Sequence, residues 1–469
     1  MLQRWSQPNG YRRVLSVGLP LVVSFGTTSL IHFTDRVFLA NYSVDAIAAS
    51  LPAGIVSFLA ICFFMGVVGY VNVFVAQYMG AGAAERVGAS LWQGLYFSFG
   101  ASLILAALYF VAEPLFSLGG HPASVQRLEV IYFRILTLGA GSVVVATTLS
   151  CFYSGRGLTR PVMVINLAAA GLNIPLDYLL INGVGPFPEL GIAGAGLATV
   201  ASQALMVVLY GLAVFNKAND RLFAVRRSRA FDAALFGRMM RYGLPGGVQF
   251  FMDIFAFTFF VFMVGRLGRA ELAATNIVLA ISTLSFLPMI GLSIAVSTLV
   301  GQAVGAGRPQ EGVQATISTL HITLAYMGLV GCLFVLLPGY LLVPFIDQGA
   351  SPAAQAELAR LGVLLLRFVA VYTLFDALTI IYMGALKGAG DIYFVMWAMG
   401  LASLLVLIGP VWVGQEFFGL GLYYIWSCVT LYVVLLGLTF RWRFRRGAWQ
   451  KMRVIEAVPV AAVSPDGLP

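Results

Sequence analysis

The sequence predicts an all-α integral membrane protein, with twelve transmembrane helices in two six-helix bundles. Three observations predict it. The 469 residues are 60% hydrophobic and 10% charged, whereas a soluble domain carries about 25% charged residues to cover its surface. Apolar runs long enough to cross a hydrocarbon core of about 30 Å recur along the whole chain. The chain also matches itself, at an offset of 225 residues in its early part and 233 further on.

Taken in order, the runs fall at 14–40, 46–76, 88–112, 128–153, 161–182, 191–215, 243–265, 271–303, 314–346, 358–386, 392–415 and 419–440, each bounded by Gly, Pro or clustered charge. Span 1 follows Arg12 and Arg13, as a secretory signal would, but it outruns the usual apolar core of roughly 7–15 residues and has no small-residue cleavage site. It reads as a span. Span 2 ends in VAQYMGAG (75–82), which the offset of 225 lays on VGQAVGAG (300–307) at the end of span 8. The same offset lays Leu19-Pro20 on Leu244-Pro245 and Ala48-Ala49 on Ala273-Ala274, and the offset of 233 lays Arg134 on Arg367 and Gly155 on Gly388. The chain therefore divides into a first lobe (1–215), a basic cytoplasmic linker (216–242), a second lobe (243–440) and a cytoplasmic tail (441–469). Six spans per half make the repeats parallel, related by an axis along the membrane normal, an arrangement found in transporters that rock one half against the other.

Orientation follows from Lys and Arg. With both termini in the cytoplasm, 21 of the 28 basic residues lie in cytoplasmic segments, among them Arg86, Arg156, Arg238, Arg308, Lys387 and the Arg441–Arg453 cluster. Arg127, Arg266, Arg269 and Arg360 fall on the opposite side, and Arg36, Arg134 and Arg367 lie in spans or at their ends. That asymmetry satisfies the positive-inside rule. The net charge of +9 is thus a topology signal beside membrane crossings and not a nucleic-acid surface. Contact with anionic lipid heads fits the same charges. For Arg134 and Arg367, structural pairing or lipid-head contact is expected. The four cysteines, each in an apolar run, have no paired or metal-ligand spacing.

Carboxylates inside spans cost about 2.5–3.5 kcal/mol each on insertion scales and need a reason. Asp35 lies late in span 1, Asp177 in span 5, Asp253 in span 7 and Asp376 in span 10. Asn173 and Asp177, four apart, share a helical face. Their oxygens suit a hard cation such as sodium, with the hydroxyl of Thr199 in span 6 available to complete the set. A proton suits the carboxyl equally, because burial disfavours its charged form. In the second half Gln249 stands four residues before Asp253 and Tyr372 four before Asp376. Acids set among Phe250, Phe251, Phe255 and Phe375 suit an organic cation, whose charge they attract and whose flat body the rings stack on. Pro20, Pro175, Pro245 and Pro288 fall inside spans, where they bend helices. His32, one turn before Asp35, is a structural hydrogen-bonding group or a proton relay.

Several classes are excluded or disfavoured. No GxxxxGK[ST] phosphate loop is present, there are three histidines, and no metal-spaced or nucleophile motif appears. The chain is not expected to be an enzyme or to carry a cofactor.

SGRGLTRPVMVINLAAAGLNIPLDYLLI (154–181), FPELGIAGAGLATVASQ (187–203), the two GAG-ended motifs, TDRVFLA (34–40) and YMGALKGAGD (382–391) together resemble the multidrug and toxic compound extrusion (MATE) family, and the resemblance runs over nearly the whole chain. It implies a bacterial multidrug exporter of the NorM or DinF type in the cytoplasmic (inner) membrane, exporting small organic cations in antiport with H+ or Na+ by alternating access, and a monomer is expected. It also implies a cation site at Asp35, Asn173, Asp177 and Thr199, and cation and drug binding at Asp253 and Asp376. Two departures stand out: Asp253 where the NorM-like branch often has Glu, and Asp177 where that branch often has Asn and the DinF-like branch Asp. Both lobes thus keep acids. The alternatives are a lipid-linked precursor flippase of the same wider superfamily, which would favour an arginine-lined cleft, a channel and, from another class, an integral membrane enzyme.

Overall fold

The computed structural model describes residues 2–5, 7–345 and 351–456. Among these, twelve helices are long and apolar enough to cross a membrane: α1 Tyr11–Tyr42, α2 Val44–Gly80, α3 Ala84–Ser117, α4 Ala123–Gly155, α5 Arg160–Asn182, α6 Ile192–Val214, α7 Ala233–Gly265, α8 Arg269–Gly305, α9 Pro309–Leu336, α10 Pro352–Ala389, α11 Ile392–Phe418 and α12 Leu422–Arg445. Each coincides with one expected span.

Helices α1–α6 pack into one bundle, with α4 at its centre against α2, α3 and α6. Helices α7–α12 form the second, built around α10, which lies against α8, α9 and α12. The bundles meet along α1 with α8 and, by the internal symmetry, α7 with α2. The contact is closest at the end where α1 begins and α12 finishes, hereafter the terminal end. There the GAG turns of both halves touch backbone to backbone. A Cβ on Gly80 would stand 2.0 Å from the Gln302 carbonyl, and one on Gly305 would stand 2.0 Å from the Gln77 carbonyl. Only glycine permits that approach.

The structure departs from the expected boundaries in ways that bear on the site. Helix α7 begins at Ala233, ten residues inside the stretch read as linker, because Asp232 caps it by accepting from the Leu235 N–H at 2.9 Å. The rest of that stretch holds a short helix, Lys217–Phe223. Helix α9 stops at Leu336, before Pro338, and the last expected residue of that span, 346, lies outside the described residues. Helix α10 runs on to Ala389 and so takes Lys387, expected in a cytoplasmic loop, into a helix. Helix α11 contains a π-helical stretch, Ser403–Ile408, just before Pro410, whose missing N–H disturbs the regular ladder.

The tail folds back on the bundles. After Gly447, with φ at +72°, the chain turns back through Ala448–Lys451, burying Trp449, which stacks on Phe444 at 4.8 Å between centroids. Residues 457–469 of the expected tail lie outside the described residues.

Candidate functional site

In the first bundle, Asp35 on α1, Asn173 and Asp177 on α5 and Thr199 on α6 converge. Asn173 and Asp177 are 0% exposed, Asp35 5% and Thr199 7%. Asp35 faces Asp177 and Thr199 at side-chain range, yet no hydrogen bond of good geometry joins them. Asp35 Oδ1, both Asp177 oxygens, both Asn173 amide atoms and Thr199 Oγ1 are buried without a hydrogen-bond partner. Pro175, between the two α5 residues, lies inside a continuous helix and withholds one backbone donor beside them. Tyr132 on α4 faces both acids. Sequence reasoning misses it, since no spacing links α4 to α1. His32 and Arg36 act on Asp35 only through space.

A buried polar atom without a partner is uncommon, and six in one place are rarer. Two carboxyls without a salt-bridged cation between them make the cluster an acceptor for a proton or a small cation. All four of its side chains are short, and the nearby rings of Phe38 and Tyr178 meet each other edge-on at 5.7 Å between α1 and α5. The arrangement suits an ion far better than a drug-sized molecule.

The second bundle is built differently. Gln249 and Asp253 share one face of α7, while Tyr372, Asp376 and Lys387 come from α10. Lys387 Nζ donates to Gln249 Oε1 at 3.0 Å and faces Asp253, which in turn faces Asp376. Tyr432 of α12 faces both acids, and Cys62 of α2, in the other bundle, faces Asp253. Asp253, Tyr372, Asp376 and Lys387 are all partly exposed. The aromatic setting expected around these acids forms only in part. Phe250 meets Phe58 of α2 edge-on at 6.4 Å across the bundle boundary, but Phe251 and Phe255 stack on each other at 6.1 Å on an exposed face. They lie two residues either side of Asp253, about 200° round the helix, and so point away from it.

Below this cluster the terminal end is locked by a symmetric pair of glutamines. Gln77 Nε2 donates to the Gly388 carbonyl at 3.0 Å, and its repeat mate Gln302 donates to the Gly155 carbonyl at 3.0 Å. The repeat alignment pairs these four residues but gives them no role. The tail adds a clamp: Val454 N–H donates to Gln77 Oε1 at 2.9 Å. Glu456 accepts from Tyr78 at 2.6 Å, and it pairs with Arg86 of α3 at 2.7 Å and Arg238 of α7 at 2.6 Å. Partial burial works against the Glu456 charge, but the Tyr78 hydrogen bond and the two arginines outweigh it and hold its carboxyl below the usual glutamate range. Asp232 is held low as well, first by the Leu235 N–H and then by Arg86.

At the opposite end, Glu129, which carries no sequence signal, is fully buried against His121 at 2.7 Å. Arg134 is paired with Glu113 at 3.0 Å and lies over the Tyr109 ring, whereas its mate Arg367 lines a groove of about 420 Å³ with Arg360 and Tyr423.

The sequence matches the MatE family over residues 20–179 and 245–412. It is 30% identical over 443 residues to a probable multidrug resistance protein NorM of Pseudomonas putida, covering 93% of this chain and 95% of that one. Among solved structures it superposes on a MOP-superfamily transporter from Pyrococcus furiosus with a TM-score of 0.86 at 19% identity, covering 96% and 99% of the two chains. A multidrug resistance MATE family transporter in an outward-facing conformation gives 0.84 at 18% identity, covering 96% and 98%. At those identities the two structures speak to the fold alone.

Proposed function

This chain belongs to the MatE family, and from that premise we propose that it is a secondary active exporter of drug-like organic cations, driven by antiport of H+ or Na+ through alternating access. Membership of a transporter family makes it a multi-pass membrane protein and not an enzyme. Its bacterial relatives support the bacterial cytoplasmic membrane, and the bias of Lys and Arg supports both termini in the cytoplasm. On that orientation the locked terminal end faces the cytoplasm.

The observation that carries the reading is the sealed cluster of Asp35, Asn173, Asp177 and Thr199, six of whose polar atoms have no hydrogen-bond partner. It is the proposed seat of the coupling ion. The partly exposed Asp253, Tyr372 and Asp376, with Gln249 beside them, are the proposed seat of the organic cation. Linkage then requires the ion and the drug to bind with different strengths in the two conformations, since an ion bound equally well in both shifts nothing. A flippase for pyrophosphate-linked lipids would call for a cationic cleft, and two carboxyls against one lysine argue the other way.

The test is export of tetraphenylphosphonium from proteoliposomes under an imposed sodium gradient or an imposed pH gradient. Export driven by one of them, and lost in Asp177→Asn, is the expected result. Absence of gradient-driven movement under both would overturn the reading.

A further inference from the structure

The charged triad of the second bundle has no counterpart in the first. The repeat mates of Gln249, Asp253 and Lys387 are Ser24, Thr28 and Ser154, and the mate of Asp376 is Val143. The internal duplication therefore keeps the helices, and the lysine beside the acids belongs to the second half only. Lys387 is held by the machinery of the locked end. The next two residues, Gly388 and Ala389, accept from Gln77 at 3.0 and 3.3 Å, while its own ammonium is pinned on Gln249 at 3.0 Å.

The ammonium so placed lies within electrostatic range of the Asp253 carboxyl and forms no salt bridge with it within 4 Å. Asp253 stays partly exposed and keeps lone pairs for another cation. Around the two acids, the other facing groups are Tyr372, Tyr432 and Cys62, which are neutral in their ordinary states. With Asp253 and Asp376 ionised and Lys387 protonated, the formal charge of the set is one negative.

We infer that Lys387 is a specificity-determining residue, a tethered cation that sets the charge of the second-bundle site so that it takes singly charged organic cations in preference to doubly charged ones. The inference rests on the proposed export of organic cations. Its physics is simple. Repulsion from a fixed ammonium acts once on a monocation and twice on a dication, in a half-buried site where screening is weak.

The experiment measures equilibrium binding of tetraphenylphosphonium and of the dication methyl viologen to purified wild type, Lys387→Met, Lys387→Arg and the double variant Lys387→Met with Asp376→Asn. Lys387→Met is expected to raise dication affinity relative to monocation affinity by about tenfold, the effect of removing one like charge. Lys387→Arg, which keeps the charge, should leave the ratio at its wild-type value. The double variant restores one net negative charge and should return the ratio toward wild type, which also guards against a misfolded single variant. A Lys387→Met protein that still binds tetraphenylphosphonium with an unchanged ratio would overturn the inference while leaving the exporter reading intact. A wild type that binds neither cation would instead overturn the exporter reading, and the inference with it.

Discussion

The two bundles share a fold and a repeat, yet they treat buried charge in opposite ways. The first buries Asp35 and Asp177 with an amide and a hydroxyl, leaves six of the cluster's polar atoms unpartnered and, among the described residues, supplies no salt-bridged basic side chain. The second leaves Asp253 and Asp376 partly open and brings Lys387 up to them on a glutamine. Sealed carboxyls without a cation gain most from a small ion that fits among short ligands. Open carboxyls with a built-in counter-charge suit a larger guest that displaces water, not ligands. Duplication thus produced two scaffolds that diverge at a few positions, Asp35 against Phe260 and Asp253 against Thr28, and the proposed function gives them separate work.

The strongest way to break this comparison is to neutralise the sealed acids. Asp177→Asn should abolish gradient-driven export, a loss of about a hundredfold or more if the site is the coupling site, with tetraphenylphosphonium binding retained; filter-binding and proteoliposome flux read the two effects separately. Next in size is the locked end. Gly80→Val would drive a side chain into the Gln302 carbonyl, already 2.0 Å from an ideal Cβ, so the bundles must part there. Accessibility of a cysteine placed at Ala76, fully buried beside Gly301 of the other bundle, should rise sharply in that variant, and unchanged protection would contradict the packing described.

Asp376→Asn should weaken tetraphenylphosphonium binding by about tenfold in filter-binding, the loss of one charge from a half-open site. The smallest effect belongs to the tail clamp. Glu456 and Asp232 are both held below their ordinary range in the folded protein. Their contribution is therefore complete above the ordinary carboxylate range and is lost as pH falls through their lowered folded values. Glu456→Gln should cost about 1 kcal/mol at neutral pH and flatten the fall of thermal stability below about pH 5, as followed by melting in detergent. An equally steep fall in the variant would remove Glu456 from that role.

Much of this is legible in the sequence because it is local. Twelve apolar runs announce the spans, and the repeat announces the two bundles. The four-residue spacing alone puts Asn173 and Asp177 on one face. What depends on contact between spans is not legible. Asp35 joins Thr199 only through packing of α1 on the α5–α6 pair, and Tyr132 and Tyr432 carry no spacing signal at all. Lys387 is misplaced by sequence for a physical reason: the rule that assigns basic residues to loops at the membrane face draws it out of a helix that in fact continues to Ala389. The sequence places the tail in the cytoplasm, and only contacts between distant residues, those of Trp449, Val454 and Glu456, show it folded back on the locked end.

Division of labour between the bundles is tested most directly by measuring tetraphenylphosphonium binding and gradient-driven export side by side in Asp177→Asn and Asp376→Asn. The result predicted is a crossed pattern, in which Asp177→Asn binds but does not couple and Asp376→Asn loses binding. Loss of binding in Asp177→Asn, with full binding and coupling in Asp376→Asn, would contradict it.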